Sequence, residues 1–75
     1  MNKEIRQLII KFFTEYTEQE KLQDLKNYCY GRSNYTKKEI TQTIMQMRAE
    51  KELYTVRGLY GYVGIHWDIV DKNNH

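Results

Sequence analysis

The chain has 75 residues, of which 40% are hydrophobic and 29% charged, so it is long enough for one compact domain and too rich in aromatic residues for intrinsic disorder. No apolar run approaches the roughly 18 residues of a membrane span, and the charged N-terminal stretch predicts a helix, not a secretory signal. The single cysteine excludes an internal disulfide, and a formal net charge of +2 excludes no class of partner, so we expect a cytoplasmic protein.

The first predicted element is an amphipathic helix over residues 3–16. Apolar side chains recur there at spacings of three and four residues, which places them on one helix face: Ile5, Leu8, Ile9, Phe12 and Tyr16. Asn2 can cap this helix, because its side chain accepts a hydrogen bond from a backbone N–H that has no partner in the first turn. Ile10 lies off the stripe, where it covers the tail, marks a dimer contact or stands exposed.

A second helix is predicted from about Glu18 to Tyr28. The segment from Thr17 to Glu20 has the form of a capping box, with acidic side chains at the positive end of the helix dipole. The residues expected to face inward are Leu22, Leu25 and Cys29. Residues 30–34 then interrupt the periodicity and predict a turn.

The third helix has the clearest start signal in the sequence. The segment from Thr36 to Glu39 is again a capping box, and the helix that follows is expected to reach about Glu50. Its predicted buried stripe is Ile40, Ile44 and Met47. At 100° per residue the opposite face carries Lys38, Thr41, Gln42, Met45 and Ala49.

After Lys51 the pattern changes to that of a β-hairpin. Residues 53–56 and 60–65 are rich in β-branched and aromatic side chains, and Arg57-Gly58-Leu59 between them predicts the turn. In the second strand we expect one face to carry Val63, Ile65 and Trp67 and the other to carry Tyr60 and Tyr62. Trp67 is expected to close the hairpin onto the first helix. The ordered core is predicted over about residues 3–67, with a polar, frayed tail at 71–75.

The order helix, helix, turn, helix, hairpin resembles that of the winged helix-turn-helix DNA-binding superfamily. In that superfamily the third helix ends in a charged turn, an aliphatic or aromatic pair follows, and a basic residue and Gly lie at the wing. The corresponding residues here are Ala49-Glu50-Lys51-Glu52, Leu53-Tyr54 and Arg57-Gly58. The resemblance implies a mainly α fold with a small β-hairpin (α+β), with three helices followed by a two-stranded wing, in a single domain over residues 1–75. Glu52 departs from the pattern, because the superfamily often has Gly there.

A narrower resemblance concerns winged domains that bind Z-form nucleic acid. The run from Lys37 to Ile40 is similar to the start of their recognition helix. That family, however, has Asn and Tyr where this chain has Thr41 and Met45, and its Pro-containing wing has no counterpart in a chain without proline.

Charge is unevenly distributed in the chain. Residues 14–25 contain four acidic residues and one Lys, whereas residues 26–48 contain five cations and one acidic residue. A basic segment of this kind suits contacts to phosphates, although it also occurs as an ordinary solvated surface.

The resemblance and this basic segment together predict the residues that contact double-stranded DNA. A third helix fits the major groove, where Gln42 can pair with adenine, and Thr41 and Met45 can contact a thymine methyl group. Phosphate contacts are expected from Arg32, Lys37 and Lys38, and also from two tyrosines, Tyr35 and Tyr60. Arg57 at the wing tip is expected to reach a phosphate or the minor groove. Each residue also has an ordinary surface role as its alternative.

Catalysis finds little support in the sequence, and we expect no enzyme activity, cofactor or metal. His66 and His75 are the only histidines, and no acid or nucleophile stands at a spacing that implies a dyad or triad. Cys29 and His66 supply at most two of the four ligands of a structural zinc site, so Cys29 is expected to be a small buried hydrophobic residue. The spacing of Gly58, Gly61 and Gly64 matches no phosphate-binding motif.

Two functions remain. The first is a small DNA-binding transcriptional regulator, working as a homodimer on a near-palindromic site. Its residue bias is typical of an AT-rich genome and suits a phage, plasmid or other mobile element. The alternative is a winged-helix module for protein–protein contact, such as a small inhibitor or assembly factor. The modest net charge and seven tyrosines favour this alternative, and the fold is compatible with both.

Overall fold

Three helices and a three-stranded antiparallel sheet form a small α+β domain in the computed structural model, which describes residues 2–65. In chain order the elements are α1 (Lys3–Glu15), β1 (Glu20–Lys21), α2 (Leu22–Gly31), α3 (Lys37–Ala49), β2 (Leu53–Val56) and β3 (Leu59–Tyr62). A short helical segment follows at residues 63–65. The expectations for His66, Trp67 and the tail at 71–75 lie outside the described residues.

Helix α1 begins as its sequence predicts. The Asn2 side chain accepts a hydrogen bond from the backbone N–H of Ile5 at 3.0 Å. The buried face differs by one turn from the predicted stripe, because Phe13 is fully buried whereas Tyr16 lies beyond the helix end and is 47% exposed.

The prediction for the start of α2 is wrong. No helix begins after Thr17; the chain instead forms the short strand β1, and α2 begins at Leu22 with Lys21 at its N-cap. A capping box requires an apolar residue four positions after the cap to anchor the first turn, and that position after Thr17 is Lys21, which is exposed. Pairing of β1 with β3 satisfies the backbone there instead.

Helix α3 matches its prediction closely. The Thr36 hydroxyl accepts a hydrogen bond from the backbone N–H of Glu39 at 3.1 Å, and the predicted stripe of Ile40, Ile44 and Met47 is fully buried. The helix ends in a Schellman motif, in which the N–H of Glu52 bonds to the carbonyl of Met47. Lys51 takes the left-handed conformation that this motif needs, with φ of 64°, so the special residue is Lys51 and not Glu52.

The sheet has one more strand than the predicted hairpin, in the order β1-β3-β2. The hairpin turn contains only Arg57 and Gly58, both with positive φ (56° and 80°), as a type I′ turn requires. Strand β3 covers 59–62 and not 60–65, so Val63 and Ile65 do not continue the strand. The inward face of β3 is that of Tyr60, which is buried in the core.

The core lies between the three helices and is closed by the inner face of the sheet. Its members are Ile5, Ile9, Phe12, Phe13, Leu25, Tyr28, Cys29, Ile40, Ile44, Met47, Leu53 and Tyr60. One ion pair, between Arg6 of α1 and Glu52 at the base of the hairpin, joins the sheet to the helices. This arrangement fixes α3 from behind and leaves its other side facing outward.

Candidate nucleic-acid interface

The outward side of α3 carries a straight row of side chains. Lys38, Gln42 and Met45 follow one another at spacings of four and three residues, so they lie one above the other on the helix surface. All three are exposed, and Met45 is 36% exposed although it is apolar. We call these three residues the α3 stripe. They are the part of the predicted interface that the structure brings together most clearly.

Two further predicted residues flank the α3 stripe near the start of the helix. The Thr41 hydroxyl donates a hydrogen bond to the carbonyl of Lys37 at 2.8 Å, which leaves its methyl group as the part able to contact a base. The Lys37 ammonium lies 5.0 Å from the centroid of the Tyr30 ring, within range of a cation–π contact.

Arg57 occupies the tip of the hairpin. It is exposed and adopts a left-handed backbone conformation that Asn or Gly would adopt at lower cost. The adjoining Gly58 has open space around the position of a Cβ, so the tip is narrow. The hairpin therefore presents one cation at the end of a thin projection.

Arg32 and Tyr35 do not join the α3 stripe, because both are engaged with other helices. The Arg32 guanidinium lies 3.7 Å from the centroid of the Tyr28 ring in α2. The Tyr35 hydroxyl donates a hydrogen bond of 2.6 Å to the Glu4 carboxylate in α1, and this bond raises the pKa of Tyr35. Both residues line a groove against α1, which we call the α1 groove; its other residues are Lys3, Glu4, Gln7, Leu8, Lys11, Ser33 and Asn34.

The prediction that Tyr60 contacts phosphate is wrong for the domain in this conformation. Tyr60 is 7% exposed and belongs to the core. The error follows from the strand register: β3 begins at Leu59, and its Tyr60 face packs against the helices. Tyr54 covers the neighbouring Gly61, where a Cβ would lie 2.5 Å from the Tyr54 ring.

Sequence analysis missed Tyr30 as a member of the predicted interface. Its ring is 49% exposed and lies beside Lys37 at the start of α3. An exposed aromatic at the end of a helix is a signal that composition alone offers, but the predicted end of α2 at Tyr28 assigned it to the turn. The helix continues to Gly31, and this carries Tyr30 alongside α3.

The buried titratable groups belong to the core. Burial raises the pKa of the Cys29 thiol to about 11, so the thiol stays protonated and unreactive in the folded domain. Burial, and secondarily the nearby Glu15 carboxylate, also raise the pKa of the Tyr28 hydroxyl. Among residues 2–65 no three His, Cys, Asp or Glu side chains lie together in a way that holds a metal ion. None of the helices in that range has the length and apolar character to cross a membrane.

Comparison with known proteins gives no family assignment: no protein-family model, curated protein or solved structure matches this chain. The functional argument therefore depends on the geometry of the described residues.

Proposed function

We propose that this chain is a small winged helix-turn-helix protein that binds duplex DNA and regulates transcription, with α3 as its recognition helix and the β2–β3 hairpin as its wing. The observation that carries the proposal is the α3 stripe. A charged, an amide and a thioether side chain point outward from one helix face, and none of the described elements packs over them.

The chemistry of the α3 stripe suits base edges in a major groove. The Gln42 amide can donate to N7-side acceptors and accept from the adenine amino group, and Met45 offers an apolar surface to a thymine methyl group. Lys38 lies in the first turn of the helix, where it can neutralise a phosphate and release counterions. Glu39, the one acidic residue in that turn, lies on the flank of the row.

The hairpin adds a second point of contact. It follows α3 directly, and its tip carries Arg57 in a conformation that is costly for any residue except glycine or asparagine. A cation held at a narrow tip suits a phosphate or the minor groove. Binding here needs no reacting groups, and the proposal includes no catalytic step.

The test measures binding of a short labelled duplex of about 12 base pairs, which holds a single copy of a domain that contacts one stretch of groove. We expect affinity to fall steeply with salt, by a log–log slope of about −0.9 for each phosphate neutralised. Replacing both Lys38 and Gln42 by Ala should weaken binding by about tenfold or more, because each good base contact is worth about 1–3 kcal/mol.

The matched control replaces Gln7 and Lys11, the same two residue types, by Ala in α1. These residues are exposed and lie in the α1 groove, away from the α3 stripe. Binding of the control should equal that of the unmodified chain. Equal binding by the Lys38→Ala, Gln42→Ala variant would refute the role of α3. No binding to any duplex at low salt would favour the protein–protein alternative.

A further inference from the structure

We infer that the outward face of α1, with the α1 groove, binds a second copy of this chain, so that two α1 helices pack antiparallel across a two-fold axis. The inference does not depend on DNA binding. It concerns a surface that is separate from the α3 stripe and that the proposed function leaves unused.

The first observation is the charge pattern along α1. Its first residue is Lys3 and its last is Glu15, with no basic residue in the last turn. Both end charges oppose the helix dipole, which favours anions at the N-terminus and cations at the C-terminus. Within one isolated domain this arrangement is unfavourable. An antiparallel neighbour reverses it, because the neighbour brings a carboxylate to the first turn and an ammonium to the last.

The second observation is that the charges complement each other at a matching distance. Lys3 and Glu15 are separated by about 18 Å along the helix axis, at 1.5 Å per residue. A two-fold axis that crosses α1 near its middle, beside Leu8 and Ile9, therefore places Lys3 of one copy opposite Glu15 of the other, twice in the dimer. The pairing is self-complementary, as a two-fold interface must be.

The third observation is the shape and chemistry of the α1 groove. The turn between α2 and α3 runs beside the first half of α1, held there by the Tyr35–Glu4 hydrogen bond. Leu8 is half-buried in the groove, and the stems of Gln7 and Lys11 extend its apolar floor. Arg32 at the border adds a cation facing the acidic end of the second copy.

Other occupants suit this surface less well. Glu4 and Glu15 on the same helix repel phosphate, which disfavours nucleic acid. An acidic peptide from another protein would satisfy Lys3, Lys11 and Arg32, but it would leave Glu15 against the helix dipole. A second copy satisfies both ends of α1 at once.

The interface is small, since it comprises one helix and a turn. It buries less than the roughly 1,200 Å² of a stable specific complex, so we expect association only above about 10 µM. Charge pairing at a partly exposed surface also makes the association weaken with salt.

Sedimentation equilibrium of the full chain over a wide concentration range tests the inference. The mass should rise toward that of a dimer. Lys3→Glu and Glu15→Lys should each raise the dissociation constant by about tenfold, because each change acts at two equivalent positions. An equimolar mixture of the two variants should associate within about threefold of the unmodified chain, because both pairs become opposite in charge again.

The control is Lys38→Glu, an equal change of charge on α3, which should leave the dissociation constant unchanged. Circular dichroism melting shows whether each variant is folded. A monomeric mass at every concentration would overturn the inference, and so would single variants that associate like the unmodified chain. A mixture that fails to restore association would overturn the antiparallel register. None of these outcomes bears on DNA binding, which the short duplex measures separately.

Discussion

Helices α2 and α3 begin in physically different ways, although a Thr-x-x-Glu segment stands before each of them. At α3 the Thr36 side chain caps the helix and Ile40 enters the core four residues later. At α2 the N-cap is Lys21, without a side-chain hydrogen bond, and the preceding residues pair with β3. A capping signal therefore starts a helix only when the following turn also buries an apolar side chain.

The energies explain this outcome. A cap is worth about 1 kcal/mol, whereas burial of one large aliphatic side chain is worth about 1.5–3 kcal/mol. After Thr17, a helix would place Lys21 at the position that Ile40 occupies in α3. The chain gains more by starting α2 at Leu22, which brings Leu25 and Cys29 into the core, and by pairing Glu20 with Tyr60.

The largest expected effect breaks the apolar anchor of α3. Ile40→Ala should lower the free energy of unfolding by about 2–4 kcal/mol, because the site is fully buried and cannot collapse around the cavity. Leu22→Ala, at the start of α2, should cost about half as much, because Leu22 is only half-buried. Urea denaturation of both variants checks the order. Equal losses would contradict the claim that α3 is anchored more strongly.

A second change weakens the strand that replaces the expected start of α2. Gly61→Ala should cost about 1–3 kcal/mol, because the new Cβ displaces the Tyr54 ring and with it the 3.0 Å hydrogen bond from Gln19, just before β1. Gly31→Ala is the matched control. Its site has open space, and Ala favours the helix, so thermal unfolding should show a small gain. A Gly61→Ala variant as stable as the control would refute the packing argument.

The caps themselves provide the third test. Thr36→Ala should cost about 1 kcal/mol, and Thr36→Asn should restore most of it, since Asn caps equally well. Thr17→Ala should cost less than half as much, because no helix begins there. Chemical denaturation measures all three. A Thr17→Ala loss as large as that of Thr36→Ala would indicate that both segments act as caps in solution.

The smallest expected effect concerns the other end of α3. The Arg6 guanidinium, hydrogen-bonded to Glu52, lowers the pKa of that carboxyl below its ordinary 4.5. A lowered pKa stabilises the fold above pH 4.5, and this contribution is lost as the pH falls through the window below that value.

Glu52→Gln should therefore cost about 0.5 kcal/mol at pH 7, as is usual for a partly exposed pair, and much less at pH 3. Unfolding measured at both pH values checks this. Glu50→Gln, an exposed carboxyl one turn position away, is the control and should not change the pH dependence in the same way. A Glu52→Gln effect that is equal at both pH values would contradict the ion pair.

Much of the candidate site follows from local sequence. The spacing of Ile40, Ile44 and Met47 determines which side of α3 is buried, and it leaves Lys38, Gln42 and Met45 on the other side. The positions of Arg32 and Tyr35 do not follow in this way. Their partners, Tyr28 and Glu4, are chosen by how α1 and α2 pack, and a pattern of residue types contains no such information.

The sequence by itself determined where α1 and α3 begin, which side of α3 is buried, and that a hairpin with Arg57 and Gly58 at its turn follows. Periodicity and capping are local, so they are legible within one turn of helix or one turn of chain. The tertiary structure alone decided the strand β1, the start of α2 and the inward face of β3. A two-residue strand has no periodicity of its own, and it exists only because Glu20 and Lys21 meet Tyr60 and Leu59 across the folded domain.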